Sequence, residues 1–350
     1  MKHVVVVGGG TAGHVLPAIP VIENCLESGF KVSFIGTSSG LEKGLLEETK
    51  VDFFSIPTGK LNRYFTTKNV VEFFGFTAGL FAAFFIILKL KPQVIFSKGG
   101  FVSVPVVLVG WLLKVPIVAH ESDRTPGLAN RIAFPFLSTY CTSFREHNPS
   151  LGVRQIYTGS PIRSGIMRGN SDRGKELLNF RRHKPVLLVT GGSLGSEFLN
   201  ELVRLTLNEL IISFNVYHVC GRGKVVETED ESYKQVEYVS EGWGDILASA
   251  DVVVSRAGAN ALFELLSLKK VCLFIPLSRK ASRGDQIDNA LYAFENKFSN
   301  VKEEEELTSD IFFQEVLDTY KNRIDYLDAL EEFHVPAAAD LIFQEISILI

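Results

Sequence analysis

Two short apolar strands, each running straight into a glycine turn, constrain this chain more than any other feature. The first is Val4 to Val7, followed by Gly8-Gly9-Gly10-Thr11-Ala12-Gly13-His14. The second is Pro185 to Thr190, followed by Gly191-Gly192-Ser193-Leu194-Gly195. They stand about 180 residues apart in a chain of 350 residues, which is long for a single core. A strand, a glycine turn and a helix in that order open a doubly wound parallel sheet. The pattern therefore predicts an α/β chain of two Rossmann-like domains in tandem.

The rest of the chain keeps the same rhythm. Strands are expected at His3–Val7, Lys31–Ile35, Asp52–Ile56, Gln93–Ser97, Val115–Ala119 and Ser138–Thr142, with helices between them. After the second glycine turn they are expected at Asn215–Cys220, Val236–Val239, Asp251–Ser255 and Val271–Ile275. Turn residues gather at Gly159-Ser160-Pro161, so the boundary is placed there. This gives a first domain over 1–161 and a second over 162–336. The tail from Leu307 reads as helices, and 337–350 is expected to return to the first domain.

Composition narrows the setting. Cys25, Cys141, Cys220 and Cys272 are scattered in or near apolar runs with no CxxC pair, which reads as buried free thiols in a reducing compartment. Met1 to His3 lead directly into a strand, so no signal peptide is expected. The net charge of -4 is unevenly spread. Residues 1–161 carry 15 Lys+Arg against 10 Asp+Glu, or +5, and the remainder 21 against 30, or -9. A basic first half suits anionic headgroups or a diphosphate.

The first glycine turn satisfies GxGxxG through Gly8, Gly10 and Gly13, which lets the backbone approach a phosphate at a helix N-terminus. A dinucleotide site would also want an acid after the second strand, and Phe34 to Ser39 offers none. Thr11 and His14 instead add a hydroxyl and an imidazole, which suits phosphate binding with acid/base work at His14.

Phe73 to Leu88 reads FFGFTAGLFAAFFIIL without a charge. It is short of the roughly 20 residues a spanning helix needs, and a span there would interrupt the sheet. Lys60, Arg63 and Lys68 precede it; Lys89 and Lys91 follow. Aromatics all round such a helix exceed one core-facing stripe. Phe73, Phe74, Phe76, Phe81, Phe84 and Phe85, with Lys89 and Lys91, are therefore expected to touch an anionic membrane surface.

In the second half, the Gly191–Gly195 turn carries Ser193, and Arg163 in Gly159–Arg163 adds a candidate charge for a phosphate. Ser255 to Glu264 reads SRAGANALFE. A helix starting near Gly258 directs amides at an anion, and Glu264, about two turns in, suits a pair of ribose hydroxyls. Asp285, Gln286 and Asn289 follow at helix spacing in a loop at the carboxyl edge of the sheet, where sugar hydroxyls would need donors and acceptors.

These segments together carry a resemblance. GGGTAGH (Gly8–His14), SKGGFVSVP (Ser97–Pro105), HESDRTPGLANR (His120–Arg131), GSPIR (Gly159–Arg163), GGSLG (Gly191–Gly195), SRAGANALFE (Ser255–Glu264) and SRGDQIDNA (Ser282–Ala290) run along nearly the whole chain. In that order they resemble the peptidoglycan N-acetylglucosaminyltransferases that convert lipid I to lipid II. This chain has HESD where commoner members have HEQN, DQIDN where they have QQ..N, and Glu295-Asn296-Lys297-Phe298 where a glycine turn is more usual.

The resemblance implies a GT-B fold, two Rossmann-like domains whose parallel sheets face an interdomain cleft. It implies inverting transfer of N-acetylglucosamine from UDP-N-acetylglucosamine to the 4-hydroxyl of N-acetylmuramic acid in lipid I. The donor would be held by Arg163, Ser193, Arg256, Gly258, Ala259, Glu264, Asp285, Gln286 and Asn289. The acceptor diphosphate would lie on Gly10, Thr11, Ala12 and Gly13, with Asp123 and Asn130 nearby. His14 and Glu121 would be the acid/base candidates. No cofactor, metal or nucleic-acid partner is implied, and the enzyme would sit peripherally at the cytoplasmic face of the cell membrane. An epimerase or glycolipid synthase on the same fold, a nicotinamide or flavin oxidoreductase, and a non-catalytic membrane scaffold are the rival readings.

Overall fold

Two separate all-parallel sheets carry the molecule, one in each of two compact units: Met1–Arg163 with Val335–Ile350, and Ser164–His334. The computed structural model describes the chain apart from Met1, 38–41, Glu48, 60–67, His147, Arg182, Ser193 and Glu229, and apart from the side chains of 68–73. Ser193, Lys60 and Arg63, and the side chains of Lys68 and Phe73, thus lie outside the described residues.

The first sheet comprises β1 (His3–Val7), β2 (Lys31–Thr37), β3 (Asp52–Ile56), β4 (Val94–Ser97), β5 (Ile117–Glu121), β6 (Thr139–Thr142) and β7 (Arg154–Tyr157), in the order β3-β2-β1-β4-β5-β6-β7. The second comprises β8 (Val186–Thr190), β9 (Asn215–Val219), β10 (Tyr233–Val236), β11 (Val252–Ser255), β12 (Cys272–Phe274) and β13 (Asn300–Val301), in the order β10-β9-β8-β11-β12-β13. Central strands such as His3–Val7 and Val186–Thr190 are buried along their whole length, as a parallel sheet covered on both faces requires.

In each sheet the order reverses once: between β1 and β4 in the first, and between β8 and β11 in the second. Beyond the carboxyl ends of strands at such a switch point an open α/β sheet has its ligand crevice. The glycine turns stand at these places, Gly8–Gly10 after β1 and Gly191–Gly192 after β8.

Several boundaries differ from the sequence pattern. β10 ends at Val236, where the pattern of Val236–Val239 suggested it began. Its buried anchor is Tyr233, while Tyr238 is 62% exposed. β5 runs two residues past Ala119, so His120 and Glu121 pair with Cys141 and Thr142 and are fixed by the ladder. The first glycine turn does not open directly on a helix. Two 3-10 turns, Ala12–His14 and Leu16–Ala18, intervene before the helix Ile19–Glu27, because Pro17 and Pro20 supply no N–H for a continuous ladder. Lys297, where a glycine is more usual, adopts φ 60° behind the helix Asp285–Glu295, so the left-handed turn is kept without glycine.

The helix Ala338–Ile348 packs in the first unit. Ile342 and Ile346 join the core of Val21 and Ile22, and Phe343 packs on Phe30 at 5.5 Å between ring centroids. Glu345 binds Arg154 of β7 through two hydrogen bonds of 2.7 and 3.0 Å.

Candidate active site

At the first switch point three loops converge from β1, β4 and β5. Gly10 has φ +88°, a conformation that favours glycine. A Cβ on Gly8 would lie 2.5 Å from the His14 carbonyl, and one on Gly100 would lie 2.2 Å from the Gly9 carbonyl. The Gly8–Gly10 turn and the Gly99–Gly100 turn after β4 are therefore packed backbone to backbone. His14 Nδ1 lies 3.1 Å from Thr11 Oγ1. His14 and Asn130 both border Gly99, each 3.6 Å from where its Cβ would stand.

Glu121 is buried, and its carboxylate is fully engaged by its own loop. Oε1 accepts from the amides of Ser122 (3.0 Å) and Asp123 (3.2 Å). Oε2 accepts from the Gly127 amide (2.8 Å) and Asn130 Nδ2 (2.9 Å). Asn130 thereby has its amide oriented, and its Oδ1 is buried with no hydrogen-bond partner among the described residues.

Three buried polar groups here escaped the motif reading. Glu42 fills the place where the sequence after β2 offered no acid. Its Oε1 accepts from the Gly10 amide (2.8 Å) and the Thr37 hydroxyl (2.9 Å). It lies five residues beyond β2, and nothing local announces that it folds back. Lys98, in the SKGG segment, is 2% exposed and donates from Nζ to Ser122 Oγ at 2.6 Å. Burial brings its ammonium down to about 8, with Glu121 and Asp123 pulling the other way. His120 is completely buried, Nε2 donating to the Gly159 carbonyl at 2.9 Å. Burial and Lys98 hold its imidazole well below the usual range.

At the second switch point the helix Ala259–Ser267 begins after β11 with Gly258 as N-cap and no side-chain cap, so its first-turn amides face outward from the helix end. Glu264 is half-buried on this helix, between buried Phe263 and Leu265. Arg163 ends the first segment of the first unit and is half-buried.

Two expected donor ligands have other work. Arg256 is 7% exposed. It donates to the carbonyls of Ile275 (3.0 Å) and Pro276 (3.2 Å), to Ser196 Oγ (2.7 Å) and to the Glu304 carboxylate. Its two terminal nitrogens thus fasten three loops together. Asn289 is completely buried and donates to the Ala257 carbonyl at 3.2 Å, holding the turn before Gly258. Gln286 Oε1 accepts from the Leu277 amide at 3.0 Å, and its Nε2 lies 4.0 Å from the Cβ position of Gly258. Asp285 begins the helix Asp285–Glu295 half-buried, with Arg283 Nη2 3.7 Å away. Among the described residues no group of three His, Cys, Asp or Glu is gathered for a metal.

The helix Lys68–Leu90 buries Gly79, Ala83 and Ile87. Its opposite side exposes Phe74 (66%), Phe81 (68%), Phe85 (67%) and Leu88, while Phe76 and Phe84 are half-buried and Lys89 and Lys91 exposed. Trp111 and Leu112, at the end of the neighbouring helix Ser103–Leu112, are also exposed. The sequence reading missed them because they close a run that looks like uniform core. Among the described residues no helix is long and apolar enough to cross a membrane.

Two parallel sheets, each with a glycine turn at its switch point, are the architecture of the GT-B class of glycosyltransferase. Residues 4–142 match the model of the glycosyltransferase family 28 N-terminal domain, and residues 186–342 that of the family 28 C-terminal domain. A relative from Clostridium kluyveri is 45% identical over 345 residues, covering 98% of both chains. It bears the name UDP-N-acetylglucosamine--N-acetylmuramyl-(pentapeptide) pyrophosphoryl-undecaprenol N-acetylglucosamine transferase. One from Bacillus cereus, the same transferase 2 by name, is 45% identical over 352 residues, 99% of both. The crystal structure of Acinetobacter baumannii MurG shares the fold with a TM-score of 0.77 at 23% identity, covering 99% of this chain and 100% of that one. The chain belongs to glycosyltransferase family 28.

Proposed function

We propose that this chain transfers N-acetylglucosamine from UDP-N-acetylglucosamine to the 4-hydroxyl of N-acetylmuramic acid in lipid I, yielding lipid II. One observation carries the reading: 45% identity to a transferase of that name extends over 98% of both chains, so neither unit is missing or replaced.

The second unit holds the donor. The open amides at the start of Ala259–Ser267 meet the diphosphate. Glu264 takes the ribose hydroxyls, and Asp285 and Gln286 meet the sugar. Arg256 and Asn289 act from behind, by fixing the loops that carry these groups. Ser193 would add a hydroxyl to the diphosphate.

The first unit holds the acceptor. Gly10, Thr11, Ala12 and Gly13 border its diphosphate, while Asp123 and Asn130 accept from the acceptor's hydroxyl and amide groups, Asn130 through Oδ1. His14 is the general base: with Nδ1–H donated to Thr11, the proton-accepting nitrogen is Nε2. Glu121 is a positioning residue rather than an acid/base group, since taking up a proton would break one of four hydrogen bonds. The 4-hydroxyl attacks the anomeric carbon as its proton passes to His14. The sugar–oxygen bond to UDP breaks, and UDP leaves with the electron pair.

The exposed Phe74, Phe81, Phe85, Leu88, Trp111 and Leu112, with Lys89, Lys91 and Lys114, support a peripheral seat on an anionic membrane. The function is tested by offering a lipid I analogue or diacylglycerol with UDP-N-acetylglucosamine, with and without EDTA. UDP release with the lipid I analogue alone, unchanged by EDTA, is expected. Transfer to diacylglycerol, or epimerisation of the donor without an acceptor, would overturn the reading.

A further inference from the structure

We propose that Lys98 is the buried cation that holds the acceptor's diphosphate on the first glycine turn, acting as a positioning residue from behind the Gly8–Gly10 backbone. The inference rests on the acceptor assignment above and extends it to a residue that assignment does not use.

The placement comes from the fold. Lys98 directly follows β4, the strand beside β1 at the switch point, and its amide donates to the Val7 carbonyl at 2.8 Å. Its Cβ lies 3.3 Å from the Cβ position of Gly8. The side chain therefore starts directly beneath the turn and ends at the Ser122 hydroxyl, in the loop that also carries Asp123.

The charge is under-matched by the protein. An ammonium has three donors, and among the described residues Lys98 Nζ has one hydrogen-bond partner, Ser122 Oγ. Two carboxylates, Glu121 and Asp123, favour its charge without an ion pair to it among the described residues, and Glu121 spends both oxygens on its own loop. An unmatched buried charge is costly, and an anion on the turn would lower that cost. The turn also needs the help. The Gly10 amide already donates to Glu42, so one of the donors a glycine turn offers an anion is taken, and by a carboxylate. A cation beneath Gly8 offsets that negative charge.

Lys98 also gives the proposal a signature in pH. Glu121 and Asp123 favour its charge, and His120 of β5 feels it; Tyr140 of β6 stands by the same two carboxylates, and His14 and Glu42 border the turn above it. Burial pushes His120 well down and Tyr140 well up, so neither changes charge between pH 7 and 9. Lys98 loses its proton near 8.

The test is steady-state transfer to a short-chain lipid I analogue from pH 7 to 9.5, at saturating UDP-N-acetylglucosamine, for wild type, Lys98→Met and Lys98→Arg. The wild-type acceptor KM should be flat to about pH 8, then rise by up to about tenfold per unit. Lys98→Met should raise acceptor KM about tenfold or more at pH 7 and abolish the pH dependence. Its donor KM and its kcat at saturating acceptor should change by less than about threefold. Lys98→Arg should keep the low KM through pH 9. A folded Lys98→Met enzyme with wild-type acceptor KM, or one that loses kcat while keeping KM, overturns the inference. Should Lys98→Met fail to fold, the wild-type profile decides alone, and a flat KM across pH 8 overturns it. Wild type that makes no product refutes the proposed function and this inference with it; turnover indifferent to Lys98 refutes only the inference.

Discussion

Replacing Arg256 with alanine separates a strut from a ligand. Its guanidinium satisfies two carbonyls, the Ser196 hydroxyl and the Glu304 carboxylate, and it also lies over the Phe198 ring at 6.0 Å. Alanine would strand Glu304, which among the described residues keeps only the Ser278 amide at 3.2 Å, and would take a donor from each of two carbonyls. Breaking a buried ion pair from one side costs about 3–5 kcal/mol, a large share of the roughly 5–15 kcal/mol that hold a domain. Arg256→Met with Glu304→Gln removes both charges and keeps the bulk, so about half of that loss should be recovered. The assay is urea unfolding followed by fluorescence. The chain has two tryptophans, and a Trp111→Phe background leaves Trp243 to report the second unit alone. A loss below about 1 kcal/mol, with donor affinity falling more than tenfold, would refute the strut and return Arg256 to the donor site.

Three further outcomes are expected. Lys98 has a folded value near 8 against 10.5 for the free side chain. Between those values the unfolded chain holds a proton that the native protein lacks, so this group's contribution to stability rises with pH. Wild type should gain about 3 kcal/mol on Lys98→Met between pH 8 and 10.5, and a gap independent of pH would contradict the burial argument. Phe81→Ser with Phe85→Ser should cost about 2 kcal/mol of binding to anionic vesicles per residue and under about 0.5 kcal/mol of stability. Equal vesicle binding in sedimentation would remove that face from the membrane. His14→Ala should lower kcat by about 10²–10⁴ with calorimetric donor affinity unchanged, and wild-type turnover would exclude His14 as the base.

What the sequence made legible was periodic or local. Val4–Val7 and Val186–Thr190 announce themselves as buried parallel strands, and the glycines after them mark the switch points without any knowledge of strand order. What it hid depends on distant partners. Glu42 reaches Gly10 across 32 positions, and Arg256 spans 48 to Glu304. Motif reading passed over Glu42 and named Arg256 a donor ligand from its chemistry, because local sequence does not say which distant groups a side chain binds. Lys98 stood in a quoted motif, yet its burial comes from packing beneath a turn 90 residues earlier. Trp111 was masked by its apolar neighbours, since hydropathy alone does not separate the last exposed turn of a core helix from the buried ones.

The central claim is a single bond. UDP-N-acetylglucosamine labelled in the sugar is incubated with a lipid I analogue, and the product linkage is read by nuclear magnetic resonance. A disaccharide joined at the muramic acid 4-hydroxyl, with the anomeric configuration inverted from α to β, is the predicted result. Label recovered as free sugar, at another hydroxyl, or with its configuration retained would contradict the account.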